Sequence, residues 1–312
     1  REEGRLYSLA SFSLALAALA VLSVAIDLST PVFVAAVFVL TTGSLARTLA
    51  LPWIGSPVVG SACFSVFGTV GGVAAVLLAG EFGAAIPPLP LVVFVATSGA
   101  ILGALIRSTL TRQDDSLVLL STALVIWFLL GLNLDPTPER IAVGLAVTVA
   151  LGYVAYALGT ASTTGTLSGV VLALWAVVLG GYGWFVLLVT FFGLGGLASK
   201  YRYDEKVERG IAQENEGARG GGNVLANSAA ALVAVVAYAG ASGIGSDAIV
   251  FQFAFVGSVA ADLADTFSSE FGGLFDSPRL VAALEHVPAG TDGGVTWQGV
   301  VGGAIGSGII AG

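Results

Sequence analysis

Apolar residues in this chain come in runs of about 20, parted by short polar breaks. That is the length a helix needs to cross the hydrocarbon core of a bilayer. The runs predict eleven helices: Leu6–Ile26, Val32–Leu51, Val58–Ala79, Leu89–Leu105, Ser116–Leu132, Ile141–Leu158, Thr166–Gly180, Trp184–Ser199, Asn223–Ala239, Ala248–Phe267 and Val295–Ala311. Some are short for a full crossing, but Gly-rich segments stay helical where other helices bury them. Strands of a membrane barrel alternate apolar and polar residues, and these runs do not. The pattern predicts an all-α, polytopic helical membrane protein.

Composition agrees. Hydrophobic types make up 56% of the 312 residues and charged types only 10%. So few charges cannot cover the surface of a soluble domain of this size, and the apolar content excludes disorder. The chain has a single cysteine, Cys63, so neither an internal disulfide nor a cysteine metal cluster can form. There is no methionine, and only two of the twelve basic residues are lysine. The lysine scarcity, with an acidic pI near 4.5, suggests an archaeal-like, halophilic source. The missing methionine suggests a start trimmed before Arg1. Leu6–Ile26 has the length of a signal peptide, but no A-x-A-like cleavage site follows it.

The basic residues orient the spans. With the N-terminus in the cytoplasm, every Lys and Arg except Arg140 falls on or near the cytoplasmic side. Asp27, Glu81, Asp135, Glu139 and Asp247 then fall outside. The chain is therefore expected in the cell membrane with its polar segments facing the cytoplasm. It also divides in two. Residues 1–160 form an N-terminal transmembrane bundle of unassigned role, with ordinary turn chemistry in its loops. Residues 161–312 carry nearly all remaining polarity, in two cytoplasmic segments, Lys200–Gly222 and Ser268–Gly294.

The clearest chemistry lies in Asp262-Leu-Ala-Asp265-Thr266-Phe-Ser268-Ser269-Glu270. Asp262 and Asp265 are three apart, which puts both carboxylates on one helix face. Ionisable groups at membrane depth are costly and tend to be functional. Mg²⁺ prefers hard oxygen ligands and often takes one or two carboxylates plus phosphate oxygens. We therefore expect Asp262 and Asp265 to hold Mg²⁺, with Glu270 joining them if the helix unwinds near Gly272-Gly273. Ser269 beside them is a candidate contact for nucleotide or phosphate. The alternative is a solvated helix end.

Three further segments suit phosphate. Gly290-Thr291-Asp292-Gly293-Gly294 leads straight into the last span, so backbone N–H groups and the helix dipole can face an anion. Arg219 precedes three glycines and then Asn223 and Asn227, which are four apart and share a face. Lys200 and Lys206, in a basic stretch after the eighth span, and Arg279 beyond the tenth can also contact phosphate. The alternatives are capping, small-residue packing and topology signals. His286 is the only histidine, so a multi-His metal site is excluded.

Together these motifs resemble the transmembrane-protein-19 and phytyl-phosphate kinase family of integral membrane proteins. The likeness covers about residues 160–312, through Thr164-Gly-Thr-Leu-Ser-Gly169, Gly183-Trp-Phe-Val, Lys200-Tyr-Arg-Tyr-Asp-Glu-Lys206, Asn223-Val-Leu-Ala-Asn227, Ala264-Asp-Thr-Phe-Ser-Ser-Glu270 and Val287-Pro-Ala-Gly-Thr-Asp-Gly-Gly294. Ser228 stands where the family pattern often has glycine, and that pattern continues past residue 312, which suggests missing C-terminal helices. Dolichol kinase and phosphatidate cytidylyltransferase are wider relatives.

The resemblance implies a kinase that moves a phosphoryl group from CTP, or another nucleoside triphosphate, to an isoprenoid monophosphate such as phytyl or geranylgeranyl phosphate. Mg²⁺ would be its cofactor. Expected partners are the nucleotide, the isoprenoid lipid and membrane lipids, with no nucleic acid; a homodimer stays open. Rival classes are a CTP-dependent cytidylyltransferase, a lipid or isoprenoid transporter, and a non-catalytic scaffold.

Overall fold

The computed structural model describes residues 2–26, 28–109, 115–158, 162–212, 221–243, 245–276, 278–281, 283, 285–288, 291 and 293–312. It is helical almost throughout. Among the described residues, seven helices are long and apolar enough to cross a membrane, and four shorter ones are apolar too. All eleven predicted spans are present as helices, with ends shifted by a few residues. The molecule is a polytopic all-α membrane protein.

It forms two compact units, Arg1–Leu174 and Trp175–Gly312, which part within the seventh span. The first unit holds α1 (Glu2–Ala25), α2 (Thr30–Ile54), α3 (Pro57–Glu81), α4 (Leu89–Thr109), α5 (Asp115–Gly131), α6 (Pro138–Leu158) and nearly all of α7 (Thr163–Trp175). Its core is the packing of α2 to α5 around Phe64 and Phe94, both fully buried. The Thr42 hydroxyl donates to the Phe67 carbonyl at 2.9 Å, a polar stitch between α2 and α3. Arg107 at the end of α4 donates to Ser44 Oγ at 2.9 Å and pairs with Asp115 at 2.5 Å. Nη1 of this half-buried guanidinium is thus paired at the helix end, while its Nε is buried without a hydrogen-bond partner.

The second unit opens with a π-helical turn, Ala176–Gly180. A Cβ on Gly180 would lie 2.5 Å from the Trp184 ring, so the turn depends on glycine there. Then follow α8 (Tyr182–Lys200), the short α9 (Tyr203–Glu208), α10 (Gly221–Ala239), α11 (Ala248–Gly272), the two-residue strands β1 (Arg279–Leu280) and β2 (Gly294–Val295), and α12 (Trp297–Ala311). Neither α9 nor the β1–β2 hairpin is among the elements predicted from the hydrophobic pattern. Both are too short and polar to leave an apolar period.

Helix α11 is the centre of this unit and packs on α8, α10 and α12. Asp247 starts it, its carboxylate accepting from the Ile249 N–H at 3.0 Å. Phe255, Val259, Leu263 and Phe267 recur at four-residue spacing and are buried. Trp184 stacks 4.8 Å from Tyr238 and 4.3 Å from Phe255, which joins the start of α8 to the end of α10 and the start of α11. The opposite end of the unit therefore collects the end of α8, the start of α10, the end of α11 and the start of α12.

The α11–α12 contact is unusually close. A Cβ on Gly306 would sit 2.8 Å from the Leu263 carbonyl oxygen. On Gly303 it would sit 3.1 Å from that of Ala264, and on Gly299 2.8 Å from that of Ser268. Glycines at this spacing let two backbones touch. Thr296 completes the joint: its hydroxyl accepts from the Gly299 N–H and donates to the Gly272 carbonyl, both at 3.1 Å.

Candidate functional site

The acidic segment lies wholly within α11, which runs unbroken to Gly272. At about 100° per residue, Asp262, Asp265 and Ser269 fall within about 60° of one another around the axis. Asp265 and Ser269 are exposed and Asp262 is half-buried. Ser269 Oγ donates to the Asp265 carbonyl at 2.9 Å, and Thr266 Oγ1 donates to that of Asp262 at 2.8 Å. These local bonds use the hydroxyl hydrogens and leave the Ser269 oxygen able to accept.

Glu270 takes a different direction. With no unwinding before it, it stays about 140° away from Asp265, in the middle of the buried face. There its carboxylate meets Lys206 from α9 at 2.6 Å, and the Ser199 hydroxyl donates to its other oxygen at 2.9 Å. Both members of the ion pair are buried, with side chains 1% and 5% exposed. Lys206 also donates to the carbonyls of Ala198 at 2.8 Å and Ser199 at 3.4 Å. Lys206 and Glu270, read from the sequence as phosphate and metal contacts, thus face each other across 64 residues of chain. Nothing in the spacing of the two residues could have indicated this.

The other described candidates gather at the same end of the unit. Asn223 and Asn227 lie in the first turns of α10, and Asn227 is exposed. The short α10–α11 connection makes these packed helices antiparallel. Asn223 lies 16 residues from the end of α10 and Asp262 lies 14 from the start of α11, about 24 and 21 Å from the connection. The asparagines and the aspartates therefore stand at similar height. Lys200 is exposed at the end of α8 and Arg279 is exposed on β1.

The glycine-rich segment forms the far limb of the hairpin, with Arg279 opposite Val295 and Leu280 opposite Gly294. The Gly294 N–H donates to the Thr291 carbonyl at 2.9 Å, closing a tight turn. Gly293 within it has φ +76°, which L side chains rarely adopt. A Cβ on Gly294 would come within 3.0 Å of the Thr291 carbonyl oxygen. His286 is exposed and bridges to Arg279 in the same hairpin. Thr296 caps α12 itself, so one of that helix's free N–H groups is already engaged. Arg219, Gly290 and Asp292 lie outside the described residues.

Chemically, the acidic face offers hard oxygens. Asp262, Asp265 and the Ser269 hydroxyl suit Mg²⁺ better than a soft-ligand metal. Among the described residues no group of three or more His, Cys, Asp or Glu side chains comes together. Two carboxylates completed by phosphate oxygens is the usual pattern for an Mg²⁺ that accompanies a nucleotide.

Comparison with known proteins points to the same half of the chain. Residues 146–312 match the family described as integral membrane protein DUF92. The chloroplastic protein VTE6 of Arabidopsis thaliana is 30% identical over 128 residues, covering 41% of this chain and 38% of that protein. An uncharacterized membrane protein of Methanocaldococcus jannaschii is 36% identical over 135 residues, covering 42% of this chain and 51% of that protein. One from Synechocystis is 34% identical over 131 residues, covering 42% and 49%. The matched stretch thus spans about half or less of these curated relatives. No solved structure matches. The kinship with the transmembrane-protein-19 and phytyl-phosphate kinase family, read from the motifs, is upheld. The chain belongs to the DUF92 family of integral membrane proteins.

Proposed function

We propose that this protein is a membrane-embedded prenyl-phosphate kinase. It transfers a phosphoryl group from a nucleoside triphosphate, CTP in the first instance, to an isoprenoid monophosphate such as phytyl or geranylgeranyl phosphate. The observation that carries the reading is the open face of α11. Asp262, Asp265 and Ser269 present oxygens together, at the same end of the unit as the asparagines of α10 and the glycine turn before α12. Kinship with the phytyl-phosphate kinase family, through the segment that also matches VTE6, supports the substrate class.

Phosphoryl transfer asks a protein mainly for positioning and charge neutralisation. Asp262 and Asp265 would hold Mg²⁺, which when bound neutralises phosphate charge. Gly293 is exposed, with only Leu280 within 4 Å of where a Cβ would stand, and presents backbone that a phosphate can approach. Exposed Asn227 presents an amide group from the neighbouring helix, with Asn223 one turn before it in the chain, and Lys200 and Arg279 place positive charge at the rim. The charge distribution supports a cytoplasmic setting for this end, where nucleotides are. The isoprenoid tail would lie along the apolar flanks of the helices.

The deciding experiment supplies purified protein with radiolabelled CTP, Mg²⁺ and phytyl or geranylgeranyl phosphate. Formation of the isoprenoid diphosphate with release of CDP is the expected result. Release of pyrophosphate with a CDP-linked lipid would make the protein a cytidylyltransferase. No nucleotide turnover, with lipid-phosphate movement across vesicles, would make it a transporter.

A further inference from the structure

We infer that Lys206 and Glu270 form a lock that fixes the roll and height of α11, and that they act as positioning residues rather than as ligands of phosphate or metal. An ammonium group has three donors. Those of Lys206 are matched by three acceptors: Glu270 Oε2 at 2.6 Å, the Ala198 carbonyl at 2.8 Å and the Ser199 carbonyl at 3.4 Å. Glu270's second oxygen is taken by the Ser199 hydroxyl. A phosphate could reach Lys206 only by displacing a carboxylate that is already desolvated and in contact.

The lock joins three elements. The lysine comes from α9, its carbonyl acceptors from the last turn of α8, and the carboxylate from α11. A second tie holds α9 in place: Arg209 pairs with Asp276 just beyond α11 at 2.9 Å and with Glu205 at 3.1 Å. Ile211 then lies over Gly273, where a Cβ would come within 2.6 Å of its Cδ1. The segment from Lys200 to Ile211 is therefore bound to the end of α11 at several points.

The consequence follows from helix geometry. Glu270 and Asp265 are about 140° apart on one rigid helix. Holding Glu270 inward holds Asp265 and Ser269 outward. Rolling α11 enough to bury Asp265 would pull Glu270 off Lys206 and leave both charges buried and unpaired, which is strongly unfavourable.

The test uses the full chain in detergent with K206Q, E270Q and the double variant K206Q/E270Q, which keeps hydrogen-bonding amides at both positions. Two quantities are read: the thermal unfolding midpoint, and MgCTP affinity by calorimetry well below every midpoint. Only the second rests on the proposed kinase reading. Each single variant should lower the midpoint and weaken MgCTP binding roughly tenfold; the double should regain most of both losses, the coupling expected of directly paired residues. Additive midpoint losses would overturn the lock. A double variant that binds MgCTP as weakly as the two single losses multiplied would make Lys206 a ligand and overturn the positioning role. A parent protein that binds no MgCTP but shows the midpoint coupling would uphold the lock and sink the nucleotide reading instead.

Discussion

Asp265 and Glu270 are five residues apart on one helix and face opposite ways: the aspartate is exposed, whereas the glutamate is buried against Lys206 and Ser199. A single helix thus leaves one acid open at its surface and spends the other on its own anchorage. Changes at the two positions should accordingly have different signatures.

For Asp265, the signature is catalytic. On the proposed kinase reading, Asp265→Asn and Asp262→Asn should each remove a charge that would hold Mg²⁺, a loss of several kcal/mol in transition-state stabilisation. Transfer from CTP to phytyl phosphate should fall by at least about 100-fold. Asp265→Asn should leave the unfolding midpoint nearly unchanged, because the side chain is exposed. Near-parent turnover in Asp265→Asn would remove it from the site.

The glycine contact between α11 and α12 gives a prediction with an internal control. Gly306→Val should destabilise the protein by about 1–3 kcal/mol or more, because its Cβ would press on the Leu263 carbonyl. Gly308→Val, where nothing lies within 4 Å of a Cβ, should be tolerated. Thermal unfolding of the two variants in the same detergent separates them; equal midpoints would contradict the close packing.

Gly293 should matter for nucleotide more than for lipid. Valine there is strained by φ +76° and adds bulk to the turn ahead of α12. We expect Gly293→Val to weaken MgCTP binding severalfold while leaving binding of phytyl phosphate within a factor of about two. Equal loss for both ligands would show that the turn acts only through the fold.

Sidedness is checked by cysteine labelling in a Cys63→Ala background. Ser242→Cys should react with an impermeant maleimide from outside intact cells, and Glu285→Cys only after permeabilisation. Both positions are exposed. Reaction of both from the same side would overturn the N-in orientation.

The spans were legible because the apolar runs are long and their edges are marked by residues such as Asp247, which caps α11, and Pro57, which opens α3. Edges were less so: α2 passes through Pro52 to Ile54, and α11 extends five residues beyond its apolar run to Gly272. Asp262 and Asp265 could be placed on one face by arithmetic, since three residues on a helix fix an angle. The partner of Glu270 could not. A carboxylate at a helix end reads the same whether it meets water, metal or lysine, and Lys206 sits on a six-residue helix that has no hydrophobic period. The hairpin escaped for the same reason, since two-residue strands carry no alternation.

The glycine seam between α11 and α12 also governs how the protein meets bilayers of different thickness. Two helices whose backbones touch have no side-chain layer between them to shear. A mismatch with a thinner or thicker membrane must then be met by tilting the pair as one plank rather than by sliding one helix past the other. The interval from Ser268 to Gly299 stays the same in either membrane.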